Sequence, residues 1–154
     1  MRRTIQRALV IVLAGAVLGL IGNAISPRGL SYVTPLKPQL KAQDTLSLPE
    51  ARALWSGGAA FFLDARAPAD YAAGHIPNAF SLPVEQFDQQ YPNVAPMLTP
   101  DAAIVVYCDG QQCDLSHRLA LKLRELGYRN VRVLVNGWTV WQTARLPTHK
   151  GAQP

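Results

Sequence analysis

Both cysteines of this 154-residue chain lie in the stretch "VVYCDGQQCDLS", Cys108 and Cys113, with four residues between them. Cys108 follows an apolar run and precedes a segment of helical period. A thiol placed there meets the N–H groups of a loop and of a helix N-terminus, which stabilise a thiolate and lower its pKa below the free value of about 8.5. One chemistry is therefore nucleophilic attack by Cys108. A second is a redox pair, since two cysteines on one loop close a disulfide when their Cα atoms come within about 7 Å. A third is burial as two small hydrophobes. A zinc site needs three or four ligands, and beyond the two thiols the loop offers only His117, so no metal is expected.

A reactive loop needs a scaffold, and the surrounding pattern supplies one. "FFLDAR" (61–66), "AIVVYC" (103–108) and "VRVLV" (131–135) read as short buried strands. Between the last two, "LSHRLALKLRELGY" places Leu115, Leu119, Ala120, Leu123 and Leu126 on one helical face. Arg118, Lys122, Arg124 and Glu125 take the other, and Gly127 stops the helix. Strand, amphipathic helix, strand is a βαβ unit, so the expected class is α/β, with a mostly parallel sheet flanked by helices. Shorter helices are expected at 49–56, 68–73 and 138–143. In such sheets reactive groups collect at the carboxyl ends of the strands, where Cys108 stands.

The formal charge of +5 is unevenly spread. Residues 1–43 hold six basic residues and no acid, whereas 44–154 carry nine Lys/Arg against ten Asp/Glu. The folded part is thus close to neutral, which argues against nucleic acid as a partner. Residues 8–27 contain no charge and follow Arg2, Arg3 and Arg7. A helix of that length rises about 30 Å, enough to cross a hydrocarbon core. The expected organisation is a basic N-terminus (1–7), a transmembrane anchor or signal segment (8–27), a Pro-containing linker (28–43), a domain (44–147) and a flexible tail (148–154). Positive charge before the span places the domain outside the cytoplasm, on the periplasmic side of a single-pass inner-membrane protein. Cleavage after "GNA" (22–24) would instead release it to the periplasm.

The wording of "FLDARAPADYAAGHIPNAFSLP" (62–83), "VVYCDG" and "LALKLRELGYRNVRVLVNGW" (119–138) resembles the rhodanese family over about 80 of the 154 residues. The resemblance implies a small doubly wound α/β domain acting as a sulfurtransferase without a cofactor. Its loop cysteine takes a sulfane sulfur from a small donor or a protein persulfide, becomes a persulfide, and passes the sulfur to a thiol acceptor or cyanide. Carried over by motif, Cys108 is the nucleophile. Its cradle is the backbone of Asp109, Gly110, Gln111, Gln112, Cys113, Asp114 and Leu115, with Ser116 as the matching serine. Asp64 and Arg66 match the family's first signature and support the site from the neighbouring strand.

The loop departs from the C-x-x-G-x-R-S pattern. The arginine position holds Cys113, the glycine is displaced to Gly110, and Ser116 comes two residues late. Asp109 and Asp114 add negative charge where thiosulfate, a dianion, would dock, which favours neutral or cationic donors or a protein persulfide. The Cys-x5-Arg phosphatase pattern is also unmet, because the sixth residue after Cys108 is Asp114. Cys113 is a candidate resolving thiol for a Cys108 persulfide. Two other functions use the same residues: a periplasmic dithiol/disulfide redox module, and a non-catalytic binding or sensing domain.

Other side chains are assigned structural roles. His75 fixes the turn in "GHIPNA", His117 is solvated in the first helical turn, and His149 lies in the tail. Trp138 and Trp141 pack in the core. Arg66 is assigned either a substrate contact or an ion pair with an acid such as Asp70.

Overall fold

The structure, a computed structural model, describes residues 2–25, 42–110 and 114–151. It divides into two units, 1–37 and 38–154. In the first, α1 (Arg2–Ile25) is one continuous helix. Its apolar stretch Arg2–Asn23 has a mean hydropathy of 2.1 and is long enough to cross a membrane. Of the linker expected at 28–43, only residues 42 and 43 lie within the described residues.

In the second unit five strands form one sheet: β1 (Thr45–Leu46), β2 (Phe61–Asp64), β3 (Phe80–Ser81), β4 (Ile104–Tyr107) and β5 (Val131–Leu134). Their order is β1-β5-β4-β2-β3 and every pairing is parallel. The helices are α2 (Leu48–Ser56), α3 (Pro68–Ala73), α4 (Phe87–Val94), α5 (Leu115–Glu125) and α6 (Gly137–Thr143).

Alternation along the strands sorts the core into two layers, because successive side chains point to opposite faces. Leu63, Ile104, Val106, Val131 and Val133 pack with Leu119 and Leu123 of α5 and Phe87 and Val94 of α4. On the other face Phe62, Val105, Tyr107 and Leu134 pack with Ala51 of α2 and Trp138 and Trp141 of α6. The fold is thus α/β, with helices over both faces of a parallel sheet. The chain leaves β2 toward β3 on one side and returns to β4 on the other, so the topological switch point lies between the carboxyl ends of β2 and β4.

Two glycines decide local geometry. Gly127 (φ +98°) ends α5: its N–H donates to Arg124 O at 2.9 Å and the Tyr128 N–H to Leu123 O at 3.2 Å. That is a Schellman stop, and it turns Tyr128 into the core. A Cβ on Gly137 would lie 2.6 Å from Tyr107 Cβ and 3.1 Å from Leu134 Cγ. Neither neighbour is a flexible end, so Gly137→Ala should cost about 1–3 kcal/mol in chemical denaturation, as overpacking does.

The C-terminal segment is held to the body as far as Gly151, where a loose tail is expected from sequence. His149 and His75 exchange both backbone hydrogen bonds at 2.9 Å, and the Gly151 N–H donates to Ala72 O at 2.9 Å. His75 is buried; its Nδ1 contacts Tyr71 O at 2.9 Å and its ring stacks on Tyr71 at 3.7 Å. It does fix the turn.

Buried phenols give the domain an alkaline limit. Burial, helped by Asp64, pushes Tyr71 up to about 12, and burial with the Tyr91 hydroxyl pushes Tyr128 up to about 12. Unfolded tyrosines release their protons near pH 10. Between pH 10 and 12 the folded state holds more protons, so the stabilisation present below pH 10 is lost as pH rises through that window. Denaturation midpoints should be level up to about pH 9 and fall between pH 10 and 12.

Candidate active site

Cys108 follows β4 directly, at the switch point, and is 1% exposed. Its Sγ lies 3.2 Å from Ser116 Oγ, also buried, in the first turn of α5. The hydroxyl is therefore placed to donate to sulfur whenever the sulfur is anionic or alkylated. Asp114 is the N-terminal cap position of that helix but makes no side-chain capping bond. Gln111, Gln112 and Cys113 lie outside the described residues.

The start of the loop is held from the β5–α6 connection. The Trp138 N–H donates to Cys108 O at 3.0 Å. Asn136, in the left-handed region at φ 52°, accepts the Gly110 N–H on Oδ1 at 2.9 Å. Asn tolerates this conformation better than most residues. Thr139 donates its hydroxyl to Asp109 Oδ1, which also accepts the Gly110 N–H at 2.9 Å. Sequence reasoning missed Asn136 and Thr139. The signal was there: a turn-forming Asn-Gly at the carboxyl end of the strand adjoining Cys108's own.

Beside the loop lies a buried ionic network. Arg66 and Asp64 are 6% and 0% exposed. Arg66 Nη2 donates to Asp64 Oδ2 at 2.6 Å and Nε to Oδ1 at 3.0 Å, a fork-like grip. Arg66 Nη2 also donates to Gly74 O at 2.7 Å, and the Arg66 backbone N–H to Asp64 Oδ1 at 3.0 Å. The ion-pair partner is thus Asp64 and not Asp70, which sits exposed in the first turn of α3. The backbone after β2 turns Arg66 back over its own strand end, where the carboxylate is already desolvated. The guanidinium carbon lies 4.6 Å from the centre of the Trp138 ring and 6.0 Å from that of Tyr107. Burial works against the Arg66 proton, but the hydrogen bonds and charge of Asp64, with Asp109 adding to them, hold its pKa above the ordinary value. Burial and the Asp64 charge raise the Tyr107 phenol strongly, and that phenol accepts the Ile76 N–H at 3.2 Å.

Asp64, Arg66, Cys108, Asp109, Gly110 and Ser116 are therefore gathered at one sheet end. Trp141 is core, as expected, while Trp138 serves both core and site. His117 is half-buried on α5. Among the described residues no cluster of three or more His, Cys, Asp or Glu is placed to hold a metal. A cavity of ≈ 380 Å³ lined by Leu48, Arg52, Ala53, Ser56, Ala144 and Leu146 contains none of these groups. The chemistry of the loop is that of a buried sulfur beside a hydroxyl, on a backbone pinned from the β5–α6 connection.

Residues 47–144 match the family model of the rhodanese-like domain. Over 110 residues the chain is 31% identical to the HTH-type transcriptional regulator Rv0324 of Mycobacterium tuberculosis, covering 71% of this chain and 46% of that protein. Over 95 residues it is 33% identical to the tRNA uridine(34) hydroxylase of Erwinia tasmaniensis, covering 60% and 26% respectively. The chain spans less than half the length of these relatives. Among solved structures, the human single-domain sulfurtransferase TSTD1 is 28% identical with a TM-score of 0.54, covering 65% of this chain and 96% of that one. The thiosulfate sulfurtransferase from Pseudomonas aeruginosa is 25% identical with a TM-score of 0.59, covering 71% and 20%. From strand order, loop position and matched residues together, the chain belongs to the rhodanese-like domain family.

Proposed function

We propose that the domain is a sulfurtransferase whose Cys108 carries sulfane sulfur as a persulfide, tethered by α1 to the outer face of the cytoplasmic membrane. The observation that carries the reading is the buried Cys108 sulfur at the switch point, with its hydroxyl partner and a loop pinned by Asn136, Thr139 and the Trp138 amide. The Cys108 thiolate attacks the outer sulfur of a persulfide R–S–SH; the S–S bond of the donor breaks, and R–SH leaves with the proton and the electron pair.

Cys113 then resolves the intermediate. Its thiol attacks the inner sulfur of the Cys108 persulfide, HS⁻ departs, and a Cys108–Cys113 disulfide remains, which a dithiol reductant must reopen. In support, the sequence places Cys113, its other cysteine, five positions after Cys108. The same observation favours a second reading, a redox module that exchanges electrons without sulfur transfer.

The two readings separate in one assay on the reduced full chain in detergent. Given a persulfide donor, the native chain should release sulfide and accumulate disulfide. Cys113→Ser should release several-fold less sulfide and retain the persulfide on Cys108. Equal release from both forms would remove Cys113 from the mechanism, and disulfide cycling with no bound sulfur at any time would favour the redox module.

A further inference from the structure

Resting on the sulfurtransferase reading, we infer that Asp109 sets the charge of the donor that Cys108 accepts, admitting cationic and neutral sulfane-sulfur donors and excluding oxyanionic ones such as thiosulfate. The placement of the carboxylate carries this. Asp109 adjoins the nucleophile in the chain, and its Oδ1 takes both the Thr139 hydroxyl and the Gly110 N–H, the latter at 2.9 Å. The Gly110 N–H is shared with Asn136 Oδ1 at 2.9 Å. A hydroxyl and a loop amide that would otherwise be free to hold an incoming oxyanion are thus already occupied by an anion the chain supplies.

Neighbouring cations do not offset it. Arg66 is committed to Asp64 at 2.6 Å and to Gly74 O at 2.7 Å, so that pair is neutral to an incoming ligand. Arg118, the next cation along the chain, is 2.6 Å from Glu85. Asp114 adds a second exposed carboxylate at the far end of the loop. The described charges around Cys108 therefore sum to a negative field, and a dianion approaching the thiolate meets like charge.

With thiosulfate the reaction would be attack of the Cys108 thiolate on the sulfane sulfur, cleavage of the S–S bond and departure of sulfite with the electron pair. The total charge of −3 is the same on both sides, and all of it is crowded beside Asp109. With 2-aminoethyl persulfide in its ammonium –S–SH form the donor is cationic: the Cys108 thiolate takes the outer sulfur, the donor S–S bond breaks, and the aminothiol leaves as a cation with the proton and the electron pair, so the total charge is zero on both sides.

The test loads the dithiol-reduced full chain in detergent with each donor and follows the mass gain of one sulfur on Cys108. The native chain should load from 2-aminoethyl persulfide faster than from thiosulfate. Asp109→Asn should raise the thiosulfate rate about tenfold, the order expected for one exposed unit charge facing a dianion, and lower the cationic rate a few-fold. Without any variant, added salt should speed thiosulfate loading and slow the cationic donor, since screening weakens both terms. If both donors load but their ratio is unmoved by Asp109→Asn and by salt, the charge filter is wrong and the sulfurtransferase reading stands. If neither donor loads the native chain or the variant, both fall together.

Discussion

Asp64→Asn should destabilise the domain by about 3–5 kcal/mol, the usual cost of breaking a buried ion pair by removing one partner. The substitution is nearly isosteric, so the loss is electrostatic rather than steric. Arg66 would remain almost fully buried with its charge uncompensated, and the Tyr107 phenol would lose the carboxylate beside it. The contrast is Glu85→Gln, which breaks the Arg118–Glu85 pair at 2.6 Å. There both side chains are largely exposed, at 46% and 67%, and the change should leave the denaturation midpoint nearly unmoved, because solvent screens the pair. The double variant Asp64→Leu/Arg66→Met should recover most of the stability lost by Asp64→Asn, because no buried charge is left alone. Urea denaturation of the four chains checks all of this; equal costs for the Asp64 and Glu85 variants would mean that the network is not desolvated as described.

Cys108→Ser should abolish sulfur loading, with transfer falling by several orders of magnitude, as loss of a nucleophile does. The fold should survive. A serine hydroxyl at this position has Ser116 Oγ within reach, so a buried polar group is not left without a partner, and the stability cost should stay within about 1–3 kcal/mol. Pairing the activity assay with a denaturation curve separates the two effects. A folded Cys108→Ser chain that still transfers sulfur would assign the chemistry elsewhere.

The scaffold was readable where hydrophobic period and length agreed. β2, β4 and β5 are short apolar runs, and α5 has a complete apolar face with a glycine stop, so their existence and order followed from pattern. β1 and β3 are two residues each, too short for alternation to register. α4 has Pro92 in its interior and a Gln at its cap position, signals that argue against a helix, and it is held by burial of Phe87 and Val94. At the site, Cys108 was legible from its place after a strand, and Ser116 from the resemblance to the rhodanese loop pattern. The partner of Arg66 was not, because a two-residue separation gives no pattern to read and only the path of the backbone after β2 brings Asp64 under the guanidinium. Asn136 and Thr139 were missed for a related reason. They act through a loop nearly thirty residues away in sequence, and only the parallel pairing of β4 with β5 brings the two strand ends together.

The most direct measurement is the mass of the Cys108-containing peptide from the reduced full chain after brief exposure to a sulfane-sulfur donor. The predicted result is a gain of one sulfur on Cys108, removed by a thiol acceptor. Absence of the added sulfur with cationic, neutral and anionic donors alike, or its appearance on another residue while Cys108 stays unmodified, would contradict it.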